Sequence, residues 1–306
     1  MSSGQHIHYL SHNEIDMARW NACIEQAANS LIYGFHFYLD HMAAQQWDAL
    51  ILGDYEAVMP LPWRSKYSIR YLYQPPYTQQ TGIFAKQLLS TDLLEAFLQA
   101  IQKHFRFAEL FLNYDNALPS LQPRTNYILS LDAPYPQLAA GYKRSLNESL
   151  RIAARSTLHY TSSTNITQAL ADNRKEYASR TPHVRAADHQ NFERLCHYLQ
   201  THDQLLLRTV TGPAGSPLAT VLLLRDRHRL YLVQSTTPPA GRKTAANHFL
   251  MDELIKEFAG QKILLDFEGS TIPGIAHFYS GFGAVDQPYY FYRYNNLPWP
   301  LRWLKR

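Results

Sequence analysis

The sequence predicts an α/β protein with mixed sheets, assembled from two halves of similar element order. Two hairpin signals, Gly53-Asp54 and Asp226-Arg227-His228, are each followed by an amphipathic helix and then a short apolar strand. Apolar residues make up 46% of the 306 residues, enough for a large core, since globular domains carry roughly 45–50%. Charged residues reach only 18%, below the usual figure of about 25%, which argues against a disordered or polyionic chain.

In the first half, Trp20 to Ala28 reads as a helix, Tyr33-Gly34 as a turn and Phe37 to Gln46 as a second helix. The runs Trp47 to Leu52 and Glu56 to Leu61 form the first hairpin. Ile69 to Tyr73 is a short strand ended by Pro75 and Pro76, because the residue before proline is pushed to extended backbone. From Asp92, the residues Leu93, Leu94, Phe97, Leu98, Ile101 and Phe105 recur at helical spacing behind a Ser90 or Thr91 cap. Ala108 to Asn113 and Tyr127 to Leu131 read as strands, and Pro134 and Pro136 mark a linker.

The second half begins with a helix over 135–156 and a strand at Leu158 to Ser162. Helices follow at Ile166 to Arg180 and Ala187 to Gln200, then a strand at Leu205 to Val210. Leu218 to Leu224 and Arg229 to Gln234 form the second hairpin. Ala245 to Ala259 is a helix with Phe249, Leu250, Leu254, Ile255 and Phe258 on one face, and Ile263 to Phe267 is a strand. Pro273 to Phe282 is a short helix and Tyr289 to Tyr294 a final strand. The expected domains are therefore 1–134 and 135–306. Element order repeats without a residue-level repeat, so duplication is a hypothesis.

Composition narrows the classes of function. A net charge of +4 fits a phosphorylated substrate but is too weak to imply nucleic acid by itself. Cys23 and Cys196 have no CxxC partner, which excludes a disulfide framework and a zinc ribbon. No His-Glu-x-x-His pattern occurs among the 14 His, and no metal is expected. Gly-x-Ser-x-Gly, Walker and Gly-x-Gly-x-x-Gly patterns are missing. The residues before Asn13 lack an apolar signal-peptide region, and no apolar run is long enough to span a bilayer, so a cytoplasmic location without membrane insertion is expected.

Two stretches carry candidate chemistry. Gln234-Ser-Thr-Thr-Pro-Pro-Ala-Gly-Arg-Lys-Thr-Ala-Ala246 joins a strand to a helix through small residues. Helix openings expose unpaired N–H groups, and Arg242 and Lys243 add positive charge, so the functional reading is a pyrophosphate loop over Arg242, Lys243, Thr244, Ala245 and Ala246. The plainer reading is an ordinary capped helix start. In the second stretch, Asp266 and Glu268 alternate on a strand near its C-terminal end, and Tyr279 on the next helix is a candidate general acid. The plainer readings are hydrogen bonding to the Gly269-Ser270 turn for the acids and packing for Tyr279.

Asp266-Phe-Glu-Gly-Ser, followed by Gly274-Ile-Ala-His-Phe-Tyr-Ser-Gly-Phe-Gly-Ala284, resembles the late strand, Gly turn, short helix and Phe-Gly ending of the FemAB-like branch of the GNAT acyltransferase superfamily. Tyr127-Ile-Leu-Ser-Leu131, with the basic helix from Tyr142 to Arg155, is similar to that family's link between halves. The opening Trp20 and Gly34-Phe-His-Phe-Tyr-Leu39, with Thr81-Gly82-Ile-Phe84, fits the same pattern, so the likeness spans most of the chain.

The resemblance implies two GNAT-like domains side by side and an N-acyltransferase acting on a primary amine of a small metabolite or peptide, with acetyl-CoA or another acyl-CoA as donor. Ala276-His-Phe-Tyr279 resembles the segment whose tyrosine protonates the CoA thiolate, so that role would fall on Tyr279. Asp266 or Glu268 would be the base, and the Gln234–Ser235 backbone the donor to the thioester carbonyl. The family's phosphate loop, Gln/Arg-x-x-Gly-x-Gly/Ala, is met by Arg242-x-x-Ala245-x-Asn247, with Ala for the first Gly and Asn at the end. Two alternatives stand beside this reading: an aminoacyl-tRNA-dependent FemAB-type peptide ligase, and a non-catalytic GNAT-fold binding protein.

Overall fold

The computed structural model describes residues 6–177, 184–269, 273–299 and 301–302. The expected helix end at Arg180, the turn residue Ser270 and most of the C-terminal segment after 299 lie outside them. The chain divides into two compact units, Met1–Arg124 with Pro288–Arg306, and Thr125–Gln287.

In chain order the first unit contributes β1 (Ile7–Leu10), α1 (Met17–Gln26), α2 (His36–Met42), β2 (Trp47–Leu52), β3 (Ala57–Lys66), β4 (Ile69–Leu72), β5 (Phe84–Ala85), α3 (Thr91–His104), β6 (Phe107–Leu112) and β7 (Gln122–Arg124). The second unit adds β8 (Tyr127–Ser130), α4 (Tyr135–Ala140), α5 (Arg144–Ala153), β9 (His159–Ser162), α6 (Ile166–Tyr177), α7 (Ala186–Thr201), β10 (Leu205–Thr211) and β11 (Pro217–Arg225). It continues with β12 (Arg229–Thr236), α8 (Pro239–Lys243), α9 (Ala246–Phe258), β13 (Leu264–Asp266), α10 (Pro273–Gly281) and β14 (Val285–Asp286). β15 (Tyr289–Asn295) then returns to the first unit. The protein is thus mixed α/β with two mixed sheets, as the sequence predicts.

The first sheet has the order β1-β2-β3-β4-β6-β15-β7, with β5 on β3. The hairpin read at Gly53-Asp54 forms, pairing Trp47↔Pro62 through Leu52↔Ala57. Every residue of β2 is buried, because both faces of the strand are covered. Leu50 and Leu52 join Leu94, Phe97, Leu98 and Ile101 of α3 in one core cluster. On the other face Trp47 meets Trp20 of α1 at 5.0 Å between ring centroids, and the Trp20 indole donates to the Gly34 carbonyl at 2.8 Å. The expected cap of α3 is present, with Ser90 Oγ accepting from the Leu93 amide. Such a cap is worth about 1 kcal/mol.

The second sheet runs β14-β8-β13-β12-β11-β10-β9. Ala219, Val221 and Leu223 of β11 alternate onto the face that buries Leu250, Met251, Leu254 and Ile255 of α9. α6 and α7 contact β12 and β10.

The architecture departs from the sequence expectations at one helix and in the division of the chain. The helix expected over 135–156 breaks between α4 and α5. Gly141 closes α4, buried Tyr142 donates to Asp252 of α9 at 2.9 Å, and the Lys143 amide donates to the Gly281 carbonyl. The units also do not divide at 134/135. Pro134 does cap α4, but β8 ahead of it pairs with β13 at Leu129↔Leu265, so it belongs to the second sheet. Finally, β15 does not belong with 135–306, because it pairs with β6 from Tyr290↔Leu112 to Asn295↔Phe107 and with β7 on its other side.

One glycine fixes the position of α8. A Cβ on Gly241 would lie 1.7 Å from the Leu218 carbonyl oxygen of β11. Gly241→Ala is therefore expected to lower stability by roughly 1–3 kcal/mol, read from urea unfolding, because backbone rather than a side-chain tip must move.

Candidate functional site

The site region is built where two neighbouring parallel strands differ in length. β12 and β13 pair in parallel only over Arg229↔Leu264, Leu230↔Leu265 and Tyr231↔Asp266. β13 then ends, while β12 continues to Thr236 with β11 alone as strand partner among the described residues. Within this stretch Leu222 faces Gln234 and Leu223 faces Leu232, so Val233 is an extra residue in a bulge directly before Gln234 and Ser235. Bulges re-aim side chains and backbone next to sites.

α6 clasps the end of β12. Asn173 donates to Thr236 Oγ1 at 2.9 Å, and the Thr237 amide donates to the Tyr177 hydroxyl at 3.3 Å. Arg242 donates to the Thr237 carbonyl at 2.6 Å and forms an ion pair with Glu176 at 2.9 Å. Beyond α8, Ala245 takes the left-handed conformation, φ 53° and ψ 31°, and caps α9. Its carbonyl accepts from the His248 and Phe249 amides. A non-glycine residue pays about 1–2 kcal/mol for that backbone, so Ala245 holds the turn at a cost. The start of α9 adds the positive end of its dipole, with Lys243 exposed nearby. Thr244 Oγ1 donates to the Gly241 carbonyl at 3.2 Å, Ala246 is buried, and the Ser235 hydroxyl meets Asn247 Oδ1 at 3.3 Å.

Asp266 and Glu268 do not alternate on a strand. β13 ends at Asp266, whose Oδ1 accepts from the Glu268 amide at 3.0 Å and turns the chain. Asp266 Oδ2 pairs at 2.7 Å with Arg229, both side chains being almost completely buried, and Arg229 also donates to Gln287 at 2.8 Å. Glu268 and Gly269 follow in left-handed backbone, φ 62° and 52°. Gly269 is required because a Cβ there would sit 2.2 Å from the Thr125 carbonyl oxygen.

Glu268 Oε1 is buried without a hydrogen-bond partner, and burial pushes its carboxyl up to about 8. Tyr279 of α10 lies against Phe267 at 4.7 Å between ring centroids and faces Tyr127 at 6.3 Å. Burial raises the Tyr279 phenol well above the usual tyrosine value, and the charges of Glu268 and Asp266, with Tyr177, raise it further. Tyr279 therefore keeps its proton at neutral pH, while Glu268 exchanges one near it.

Of the residues singled out in the sequence, Tyr279, Glu268 and Asp266 gather at one place, with Asp266 engaged by Arg229. Gln234 and Ser235 lie on the bulged end of β12, and Arg242 to Ala246 form the α8–α9 junction. Sequence reasoning missed Asn173, Glu176 and Tyr177, since no local pattern links α6 to a loop some sixty positions later. It also missed His248, whose Nδ1 is buried without a partner, whose ring meets Phe278 edge-on at 4.9 Å, and whose pKa burial lowers. Among the described residues no three potential metal ligands cluster, and no helix is long and apolar enough to cross a membrane.

Residues 140–272 match the family model of the acetyltransferase (GNAT) domain. No curated protein matches the chain in sequence. Among solved structures the chain is similar to FemX, with 14% identity and a TM-score of 0.68 over 97% of this chain and 99% of that one. A conserved protein of unknown function from Bacteroides thetaiotaomicron gives 11% identity and a TM-score of 0.55 over 94% and 99%. The C-terminal domain of a candidate lysylphosphatidylglycerol synthetase from Agrobacterium fabrum gives 11% and 0.53 over 93% and 92%. The chain shares the fold of FemX, and its residues 140–272 are similar to the GNAT-type acetyltransferase domain, in keeping with the resemblance.

Two stability measurements check the strained positions. Ala245→Gly is expected to raise stability by up to about 1 kcal/mol, opposite in sign to the usual cost of glycine within a helix. Because the Glu268 pKa is raised on folding, its stabilising protonated form is fully populated only at low pH. Stability falls as pH rises from about 4.5 towards about 8 and then levels off. Glu268→Gln is expected to remove that slope and to be more stable than the parent at pH 8, by roughly 1–3 kcal/mol in denaturant titrations.

Proposed function

We propose that this chain is an acyltransferase moving an acyl group from a thioester donor to an amine, with its site in the unit that carries the GNAT-type domain. The observation that supports this most is the left-handed Ala245 turn opening α9, directly after a bulged strand that outruns its parallel neighbour. Donor phosphates would lie over the α8–α9 junction, held by helix-opening amides and Lys243. The donor carbonyl would face the free side of β12, taking a hydrogen bond from the Gln234–Ser235 backbone.

The amine nitrogen then attacks the carbonyl carbon, the carbon–sulfur bond breaks, and an amide forms. Glu268 takes the proton lost by the amine, and its raised pKa suits a base working near neutrality. Tyr279 gives its proton to the departing thiolate. Asp266 positions rather than reacts: bound to Arg229, it fixes the turn that presents Glu268. The acceptor is an amine of a small metabolite or peptide.

A second reading keeps the fold and changes the donor to an aminoacyl-tRNA. Two observations favour it. The likeness to FemX extends over both chains almost completely, and Arg242 is already engaged by Glu176 and the Thr237 carbonyl, which leaves fewer free cations for CoA phosphates. The lysylphosphatidylglycerol synthetase neighbour is, by its name, an aminoacyl-transferring protein on the same fold.

Calorimetric titration with acetyl-CoA, CoA and deacylated tRNA separates the donors. Saturable acetyl-CoA binding, weakened roughly fivefold by Lys243→Ala, is expected for a thioester donor. Salt-sensitive binding of tRNA alone would move the assignment to an aminoacyl ligase. In turnover assays with the accepted donor, Glu268→Gln is expected to lower kcat by roughly 10²–10⁴-fold and abolish the limb that rises with pH to about 8. Tyr279→Phe with unchanged turnover removes Tyr279 from the mechanism.

A further inference from the structure

The first unit contains a cleft of about 800 Å³ bounded by β1, β2 and α3, independent of the acyl-transfer reading. Its apolar floor includes Leu50, Ala96 and Ala100, and its polar lining includes His8, Lys103 and His104, with no carboxylate among the lining residues. Two flat ring pairs border it: His6 stacks on His8 at 4.5 Å, and Tyr9 stacks on His104 at 4.0 Å with 12° between planes.

The charges around this cleft are unbalanced. Tyr9 from β1 donates to Asp48 of β2, and Arg70 of β4 pairs with that same carboxylate. The Asp48 carboxylate is therefore already matched by a cation. His104 then faces Lys103 on its own helix and Arg70 from β4, and burial and both cations lower its pKa against a smaller opposing effect of Asp48. A bound anion would supply the missing negative charge and let His104 take up a proton.

We propose that the cleft between β1, β2 and α3 is a binding site for a small organic anion, its negative group held by Lys103 and His104 and its apolar body lying on Leu50, Ala96 and Ala100. A phosphate monoester on an aromatic body matches both halves of the lining, and the flat ring pairs offer it stacking partners.

Titration calorimetry with phenyl phosphate, benzyl alcohol and benzylamine tests the charge requirement with a constant apolar body. Phenyl phosphate is expected to bind saturably and benzylamine not to bind. Lys103→Ala, at an exposed helix position, is expected to weaken phenyl phosphate roughly fivefold or more, and Ala96→Trp to abolish it by filling the floor, with circular dichroism confirming that both variants fold. Binding is expected to be roughly threefold or more tighter at pH 6 than at pH 8, with proton uptake seen as heats that differ between buffers. Sedimentation with phosphatidic acid–phosphatidylcholine vesicles separates two sources of the phosphate monoester. Co-sedimentation displaced by phenyl phosphate identifies a lipid headgroup, and binding of phenyl phosphate without co-sedimentation identifies a soluble monoester. Equal binding of benzylamine, no saturable phenyl phosphate binding at millimolar concentration, or binding unchanged in both variants overturns the proposal.

Discussion

The geometry of the second unit depends on the buried pair between Arg229 and Asp266. It sits where the parallel contact of β12 and β13 gives out, and it ties three things together. The guanidinium starts β12 and reaches Gln287, and the carboxylate ends β13. The other oxygen of that carboxylate takes the Glu268 amide and bends the chain. A buried pair of this kind adds little net stability, but loss of one partner leaves a charge without solvent or counterion, at about 3–5 kcal/mol. Its value here is directional. It sets where the strand stops, and so where Phe267, Glu268 and, through ring contact, Tyr279 stand.

The two parts of the proposed acyl-transfer site share a physical feature. Each contains a non-glycine residue in left-handed backbone, Ala245 at the helix opening and Glu268 at the acid. Strain of this sort persists only when the surroundings over-determine it. At Ala245 the surroundings are Gly241 pressed on β11 and Arg242 pinned by α6. At Glu268 they are the Asp266 carboxylate on one side and the close approach of Gly269 to Thr125 on the other.

What could be read from the sequence was what is encoded locally. Both hairpins, the cap at Ser90, and helices α3, α7 and α9 follow from periodicity and turn chemistry within a dozen residues. The strand–loop–helix around Gln234 to Ala246 was visible for the same reason. Features set by distant partners were not. The break at Gly141 needs Asp252 and Gly281, the clasp on β12 needs α6, and Glu268 leaves the strand only because Asp266 captures its amide. The left-handed Ala245 was hidden by its own identity, since alanine gives no sign of positive φ.

The placement of β15 between β6 and β7 has a consequence for biosynthesis. The first sheet cannot close until residue 295 has left the ribosome, although most of its strands emerge before residue 124. At about 5–20 residues per second, β6 and β7 wait on the order of ten to thirty seconds for the strand that lies between them. The whole second unit is synthesised during that interval. A nascent chain therefore carries an open sheet edge while its nested neighbour folds, and the order of completion along the chain is inside first, outside last.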